Sequence, residues 1–245
     1  MNDEKMNIQE YLNNLSLKLS KRKLVARSKK ILNDFPLALG QSLYLMNFQT
    51  QQITFQKGIR EMLGYSEEEF DFNLTCSYFH PDDQETLNRL IKATLAFASE
   101  NFVEKEVSFV LTYRIRKKNG SYIKVMRQSN TFECDEEGKI ISNLSVLTDI
   151  DFLKTGNKVE WRFDAPGLDQ QKFREYIAKE FSGFFTKRES EIARWLRKGL
   201  SSTEIGNKIY LSKHTVDTHR RNMLKKSKSK NTVELINFCE VNGII

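Results

Sequence analysis

The clearest chemistry lies in a basic stretch near the C-terminus, LSKHTVDTHRRNMLKKSKSK, residues 211–230. A helical wheel at about 100° per residue puts Val216, Met223 and Leu224 on one side of a helix. The opposite side carries polar groups, namely His214, Asp217, Thr218, Arg221, Asn222 and Lys225. That face combines hydrogen-bond donors with a carboxylate acceptor. Arg can bond guanine and a carboxylate can accept from cytosine, so the face is suited to reading base pairs.

One carboxylate, Asp217, stands among the cations of this stretch. Lys and Arg in such surroundings hold phosphate, whereas a carboxylate repels phosphate and favours a donor on a base. The alternative is that Asp217 pairs with Arg220 or Arg221, three or four residues along a solvated helix. The sequence alone supports both interpretations.

The cations around this helix favour contact with a polyanion. Residues 186–230 contain thirteen Lys and Arg against four Asp and Glu, which predicts binding that weakens strongly with salt. Lys225, Lys226 and Lys228 are expected to contact phosphate, although a merely solvated face is the alternative. His219 lies at the edge of the apolar side and is expected to pack.

Capping residues divide this region into four helices. Thr186 with Glu189 forms a capping box for the first helix, which is expected to end at Gly199. The second helix begins at Ser201 or Ser202, and Ser212 caps the third. The fourth helix has three expected core positions, Val233, Leu235 and Ile236.

The segments FTKRESEIARWLRKG and SSTEIGNKIYLSKHTVDTHRRNMLKK together resemble the LuxR/GerE-type helix-turn-helix, over about residues 184–243. The resemblance implies a homodimer on duplex DNA, with bases read by the residues after the Thr-Val pair, here Asp217, Thr218 and Arg221. Many members of that family carry Lys where Asp217 stands, so their base rules do not transfer. Further phosphate or base-edge contacts are expected from Ser212, Lys213, His214, Thr215, Lys225, Lys226 and Lys228.

The middle of the chain reads as strands and short helices. Residues 43–56 form a hairpin pattern, Ser66 with Glu69 suggests a capped short helix, and Pro81 opens a longer helix. Three strands follow. Their turns fall at Asn119-Gly120, where both positions tolerate positive φ, and at Glu137-Gly138.

The segments EMLGYSEEEF, FHPDDQETL, YRIRKKNGSYIKVMR, DEEGKI and SVLTDI resemble a PAS domain over roughly residues 35–152. The resemblance implies a five-stranded antiparallel sheet with flanking helices and a sensory or dimerising role. PAS domains hold a small ligand, haem, flavin or nothing. The flavin-adduct cysteine motif is missing and no histidine stands out as a haem ligand, so the cofactor is unknown and a small-molecule ligand is possible.

Charge separates the chain into parts with different expected partners. Residues 1–30 hold eight Lys and Arg against three Asp and Glu, residues 31–152 hold twelve against eighteen, and residues 153–245 hold nineteen against eleven. An acidic middle before a basic end predicts two domains, the second facing a polyanion. No apolar run is long enough to cross a membrane, and the basic helices lack a broad apolar face for lipid. Three widely separated cysteines suit a reducing cytoplasm.

These patterns predict an α+β protein in four parts. Residues 1–32 form a helical segment that either mediates dimerisation or packs on its own domain, and residues 33–152 form the PAS-like domain. Residues 153–183 are a linker with a connecting helix, and residues 184–245 form the all-α helix-turn-helix domain.

The predicted function is a sequence-specific, cytoplasmic transcriptional regulator. The alternative is a signalling adaptor that binds a protein partner and not specific DNA. An enzyme is not expected, because GxGxxG, GxxxxGK[ST] and GxSxG are absent. His80, Asp82 and Asp83 suggest a metal or acid-base site, but helix capping accounts for them, and no metal site is expected.

Overall fold

The computed structural model describes residues 8–19, 24–25, 30–101, 107–164 and 169–245. The chain divides into two compact units, residues 1–168 and 169–245. Within the described ranges, no helix is long and apolar enough to span a membrane. The fold class is α+β, as predicted.

The first unit contains a seven-stranded antiparallel sheet and short helices. The strands are β1 (Leu24–Val25), β2 (Gln41–Asn47), β3 (Gln52–Lys57), β4 (Ser108–Arg116), β5 (Tyr122–Asp135), β6 (Ile140–Asp149) and β7 (Glu160–Asp164). The helices are α1 (Ile8–Leu19), α2 (Lys30–Asn33), α3 (Ile59–Leu63), α4 (Leu74–Ser77) and α5 (Pro81–Glu100), with a 3-10 turn at Asp151–Leu153. The spatial order is β3-β2-β6-β5-β4-β7, and β1 pairs with β5.

The expected count of five strands was too low by two. β7 lies in the stretch assigned to a linker, yet it pairs with β4, with Phe109 opposite Phe163. Its alternating pattern is only five residues long and is surrounded by Gly, Pro and Asp, which masked it in the sequence. Residues 165–168 of the expected linker lie outside the described residues.

α1 covers only part of the helical segment expected over residues 1–32, and the short strand β1 also lies within that segment. Ile8, Leu12 and Leu15 are buried, and α1 contacts α5 of the same unit. The apolar side of α1 therefore packs on its own domain, which was one of the two alternatives for this segment. Residues 20–23 and 26–29 lie outside the described residues.

The β4–β5 hairpin confirms the expected pairing but with another turn. Lys117 N–H donates to the Ser121 carbonyl over 2.8 Å, so three residues, 118–120, lie between this bonded pair. Gly120 has φ 87°, whereas Asn119 does not have positive φ. The turn is thus the longer hairpin form in which one glycine adopts the left-handed region.

The Ser66–Glu69 pattern gives a turn and not a helix. Both capping-box bonds are present, Ser66 N–H to Glu69 Oε2 at 2.8 Å and Glu69 N–H to Ser66 Oγ at 3.4 Å. Helical structure does not continue, because residues 67–69 form a turn and α4 begins only at Leu74.

The residues at the start of α5 are accounted for structurally. His80 caps α5, its Nδ1 accepting from the Asp82 N–H at 3.1 Å. Asp83 does more than cap the helix. It is 1% exposed and accepts hydrogen bonds from Arg114 Nη2 at 2.5 Å, Arg114 Nε at 3.1 Å and the Arg114 backbone N–H at 2.9 Å. This buried ion pair joins α5 to β4.

A cavity of about 70 Å³ lies between α5 and one face of the sheet. Its apolar lining includes Met46, Phe48, Ile91, Leu95, Phe109 and Phe163. Polar groups from β5 and β6 complete it, among them Arg127, Ser129 and Asn143. The cavity therefore lies where one of the expected flanking helices covers the sheet.

The second unit is all-helical, with α6 (Gln170–Phe181), α7 (Lys187–Arg197), α8 (Ser202–Ile209), α9 (Lys213–Ser227) and α10 (Thr232–Val241). α6, expected as a connecting helix, packs through an aromatic cluster in which Phe238 lies 6.1 Å from Phe181 and 5.2 Å from Phe184. The predicted linker over 153–183 therefore straddles the division between the units.

The expectation that Val233 is a core residue was wrong. Its side chain is 77% exposed, whereas Leu235 is buried and Ile236 is half-buried. Leu235 and Cys239, four residues apart, face the core together. Val233 lies two residues before Leu235, about 200° around the helix, and so points outward.

Candidate nucleic-acid interface

Side-chain caps fix the start of each of the last four helices. Thr186 with Glu189 and Ser201 with Glu204 form complete capping boxes. Ser212 Oγ accepts from the Thr215 N–H at 3.1 Å, and Asn231 caps α10 through the Glu234 N–H at 3.0 Å. Each such cap stabilises its helix by about 0.5–2 kcal/mol. The caps therefore set where α9 begins.

The turn between α8 and α9 is tight. The Leu211 N–H donates to the Gly206 carbonyl over 2.9 Å. A Cβ at position 206 would lie only 2.4 Å from the Leu211 carbonyl oxygen. Tyr210 turns the chain with φ 56°, in the left-handed region. Only glycine at 206 allows the turn to approach α8 this closely.

One side of α9 holds it in the unit. Val216 and Met223 are fully buried, and Ser227 is buried at the end of the helix. Leu224 and His219 are half-buried beside them. The expected packing side is therefore the one observed, including His219 at its edge.

The opposite side of α9 presents the predicted base-reading residues. Arg221 is exposed, and Asp217 and Thr218 are partly exposed. The Thr218 hydroxyl donates to the His214 carbonyl at 3.0 Å and accepts from Arg221 Nη2 at 3.3 Å. These contacts lie within one helix, so the structure brings the three side chains together on an outward surface.

Asp217 makes an ion-pair contact with its neighbour Arg220, with Oδ1 3.8 Å from Nη1. That separation is longer than a hydrogen bond, and both side chains are partly exposed, so the pair adds little stability. The alternative interpretation of Asp217 is present only as this long contact. The carboxylate keeps acceptor capacity for an incoming donor.

Arg220 has a structural role that the sequence did not reveal. Its Nη1 donates to Ser202 Oγ at 2.6 Å and its Nη2 donates to Thr232 Oγ1 at 2.9 Å. One guanidinium group thus links α9 to the first turns of α8 and α10. Its place on the apolar side of the helical wheel, four residues after Val216 and four before Leu224, was the signal available in the sequence. Arg220 positions the helix, and its neighbour Arg221 is left to face outward.

The predicted phosphate contacts fall into two groups. Lys213, His214 and Lys225 are exposed, as is Lys228, which ends α9 with φ 54°. Other candidates already serve the fold. The Ser212 and Thr215 hydroxyls lie 2.9 Å apart in the N-cap, and Lys226 Nζ donates to Glu189 Oε2 at 3.0 Å.

Glu189 joins the α7 cap to α9. Burial acts to raise the pKa of Glu189, but hydrogen bonds from Thr186 and Lys226 outweigh burial and hold that pKa below its ordinary value. The carboxylate therefore stays ionised at neutral pH and anchors Lys226. α7 to α10, with their short α8–α9 turn and outward polar α9, form a helix-turn-helix domain.

Comparison with known families agrees with both units. Residues 184–239 match the model for bacterial regulatory proteins of the luxR family, and residues 52–147 match the PAS fold. The chain therefore joins a PAS-fold domain to a luxR-family helix-turn-helix domain, as the sequence resemblance implied.

Several curated proteins are similar over part of the chain. Regulatory protein SdiA of Escherichia coli (strain K12) is 38% identical over 61 residues, 25% of this chain and 25% of SdiA. The uncharacterized response regulatory protein YgeK of the same organism is 36% identical over 74 residues, 30% of this chain and 49% of YgeK. The uncharacterized transcriptional regulatory protein YxjL of Bacillus subtilis (strain 168) is 34% identical over 68 residues, 28% of this chain and 31% of YxjL. The similarity thus spans at most about half the length of these relatives.

Proposed function

We propose that this protein is a sequence-specific DNA-binding transcriptional regulator whose PAS-fold domain senses a signal or mediates dimerisation. One observation carries the proposal: α9 has a fully buried side and an opposite side on which Asp217, Thr218 and Arg221 lie together in reach of a partner. Such a helix fits the major groove of duplex DNA.

Each residue of this face has a distinct proposed role. Arg221 donates two hydrogen bonds to guanine O6 and N7, and Asp217 accepts from cytosine N4. Thr218 contacts a base edge or a thymine methyl group. The exposed Lys213, His214, Lys225 and Lys228 hold phosphates, and Ser212, Thr215 and Lys226 complete the contacts to the backbone or base edges.

The wider proposal covers assembly and signal. Two copies bind two half-sites as a homodimer in the cytoplasm, because paired domains gain affinity from a second site on the same duplex. A small molecule in the cavity between α5 and the sheet shifts the population of DNA-binding arrangements. The role is regulation by binding and not catalysis.

The decisive experiment compares two arginine variants of the full chain. A preferred duplex is first selected from random sequences, and affinity is then measured by fluorescence anisotropy for it and for a scrambled duplex. Arg221→Ala should weaken binding to the preferred duplex by about 1–3 kcal/mol and relax the preference at one base pair. Arg174→Ala removes an equal charge from the exposed surface of α6 and serves as the matched control.

The outcomes separate the possible roles of Arg221. An equal loss on both duplexes would make Arg221 a phosphate contact, and the base-reading role would be wrong. Failure of the wild-type chain to bind any duplex at low salt would refute DNA binding and favour the protein-binding adaptor.

A further inference from the structure

Tyr210 sits in the α8–α9 turn with its side chain 95% exposed. It is also one of four non-glycine residues with positive φ among the residues described, with φ 56° and ψ 45°. Because the Tyr210 side chain is exposed, burial does not stabilise it. Its backbone conformation, in the left-handed region, is also less favourable for tyrosine than for Gly or Asn. A strained residue that the packing does not use points to a role in binding.

The surroundings of Tyr210 identify the kind of partner. Lys208 and Lys213, two and three residues away, are both exposed. Arg188 reaches the same turn, because its Nη2 donates to the Ile209 carbonyl at 2.5 Å. Three cations therefore lie in or contact the segment around Tyr210, although Arg188 is also paired with Glu191 at 2.6 Å. The turn leads directly into the first turn of α9.

We propose that Tyr210 contacts the DNA backbone, its phenol hydroxyl donating to a phosphate oxygen beside the groove that α9 enters. The inference rests on the proposed function, since it needs α9 in the groove. Tyr side chains are among the groups that bond phosphate oxygens in protein–DNA complexes. The contact is sequence-independent and helps to fix the depth and angle of α9, while Arg221 and Asp217 supply the base discrimination.

The test uses Tyr210→Phe and Tyr210→Asn in the full chain, measured on the selected duplex and on the scrambled one. Loss of the hydroxyl should weaken binding about tenfold on both duplexes alike, since a hydrogen bond to a charged phosphate is removed. The slope of affinity against salt should not change, because tyrosine carries no charge. Tyr122→Phe, in the first unit, removes a hydroxyl as a control and should leave affinity unchanged.

Tyr210→Asn separates binding from folding. Asn tolerates the left-handed region better than Tyr, so the unfolding midpoint should be equal or higher while DNA affinity falls on both duplexes. Wild-type affinity in both Tyr210 variants would overturn the proposal, as would a loss confined to the selected duplex. If Arg221→Ala still weakens specific binding in that case, DNA binding stands and only the role of Tyr210 fails. If Arg221→Ala also has no effect, the proposed function fails first.

Discussion

The buried pair between Asp83 and Arg114 gives the sharpest stability prediction. Replacing Asp83 with Ala removes the acceptor of three hydrogen bonds and leaves the Arg114 guanidinium, 12% exposed, without its carboxylate. Breaking a buried ion pair from one side costs about 3–5 kcal/mol. For a unit of this size each kcal/mol lowers Tm by about 2–4 °C, so the first unit should melt about 6–20 °C lower.

Asp82→Ala is the matched control for this change. Asp82 lies in the same first turn of α5, but its side chain is 45% exposed and its Oδ2 is 3.8 Å from Arg114 Nη2. The Asp82→Ala substitution should lower the free energy of unfolding by less than about 1 kcal/mol, because exposed charges near a helix end contribute little to stability. Asp83→Asn should fall between the two, since it keeps an acceptor but loses the charge.

Differential scanning calorimetry of the full chain measures both effects, with the transition of the first unit followed separately from that of the second. The reasoning is refuted if Asp83→Ala and Asp82→Ala lower the midpoint of the first unit by the same amount. It is also refuted if Asp83→Ala lowers only the transition of the helical unit.

Three further predictions concern the second unit. Arg220→Ala should destabilise it by about 1.5–3 kcal/mol in urea unfolding, because the Ser202 and Thr232 hydroxyls lose a charged hydrogen-bond donor. Arg221→Ala should change stability by less than about 0.5 kcal/mol. The hydrogen bonds that lower the pKa of Glu189 stabilise the folded state. This stabilisation is complete at pH values above the ordinary pKa of 4.5, and it is lost as the pH falls through the lower pKa of the folded state. Glu189→Gln should therefore lose less stability than the wild type when the pH of unfolding assays falls from about 6 to about 3; an equal loss would contradict this. Lys225→Ala should reduce the salt slope of DNA binding by about 1 without loss of stability, whereas Lys226→Ala should also lower the unfolding midpoint.

The helix-turn-helix could be predicted well because its signals are local. Thr186 with Glu189 and Ser212 with Thr215 are short-range caps, and the side of α9 carrying Val216 and Met223 follows from helical period. Chain-local rules of this kind need no knowledge of the rest of the fold. The hairpins of the sheet could be predicted from the sequence for the same reason.

What the sequence missed depends on partners distant in the chain. β7 is a strand because β4 offers it an edge, about fifty residues earlier. Asp83 reads as a helix-cap acid until Arg114 is placed beside it, and Arg220 reads as a surface cation until Ser202 and Thr232 are brought to it. Such pairings are set by tertiary contacts that composition and period do not encode.

The missing side chain at Gly206 has a consequence for how such a protein can lose its activity. Adding one methyl group there would force apart the carbonyl of Leu211 and the helix before it. Every group on the outward side of α9 would remain, yet the helix that carries them would be tilted. The Gly206→Ala protein should therefore lose DNA binding through the wrong orientation of α9, although every side chain proposed to contact the duplex is unchanged.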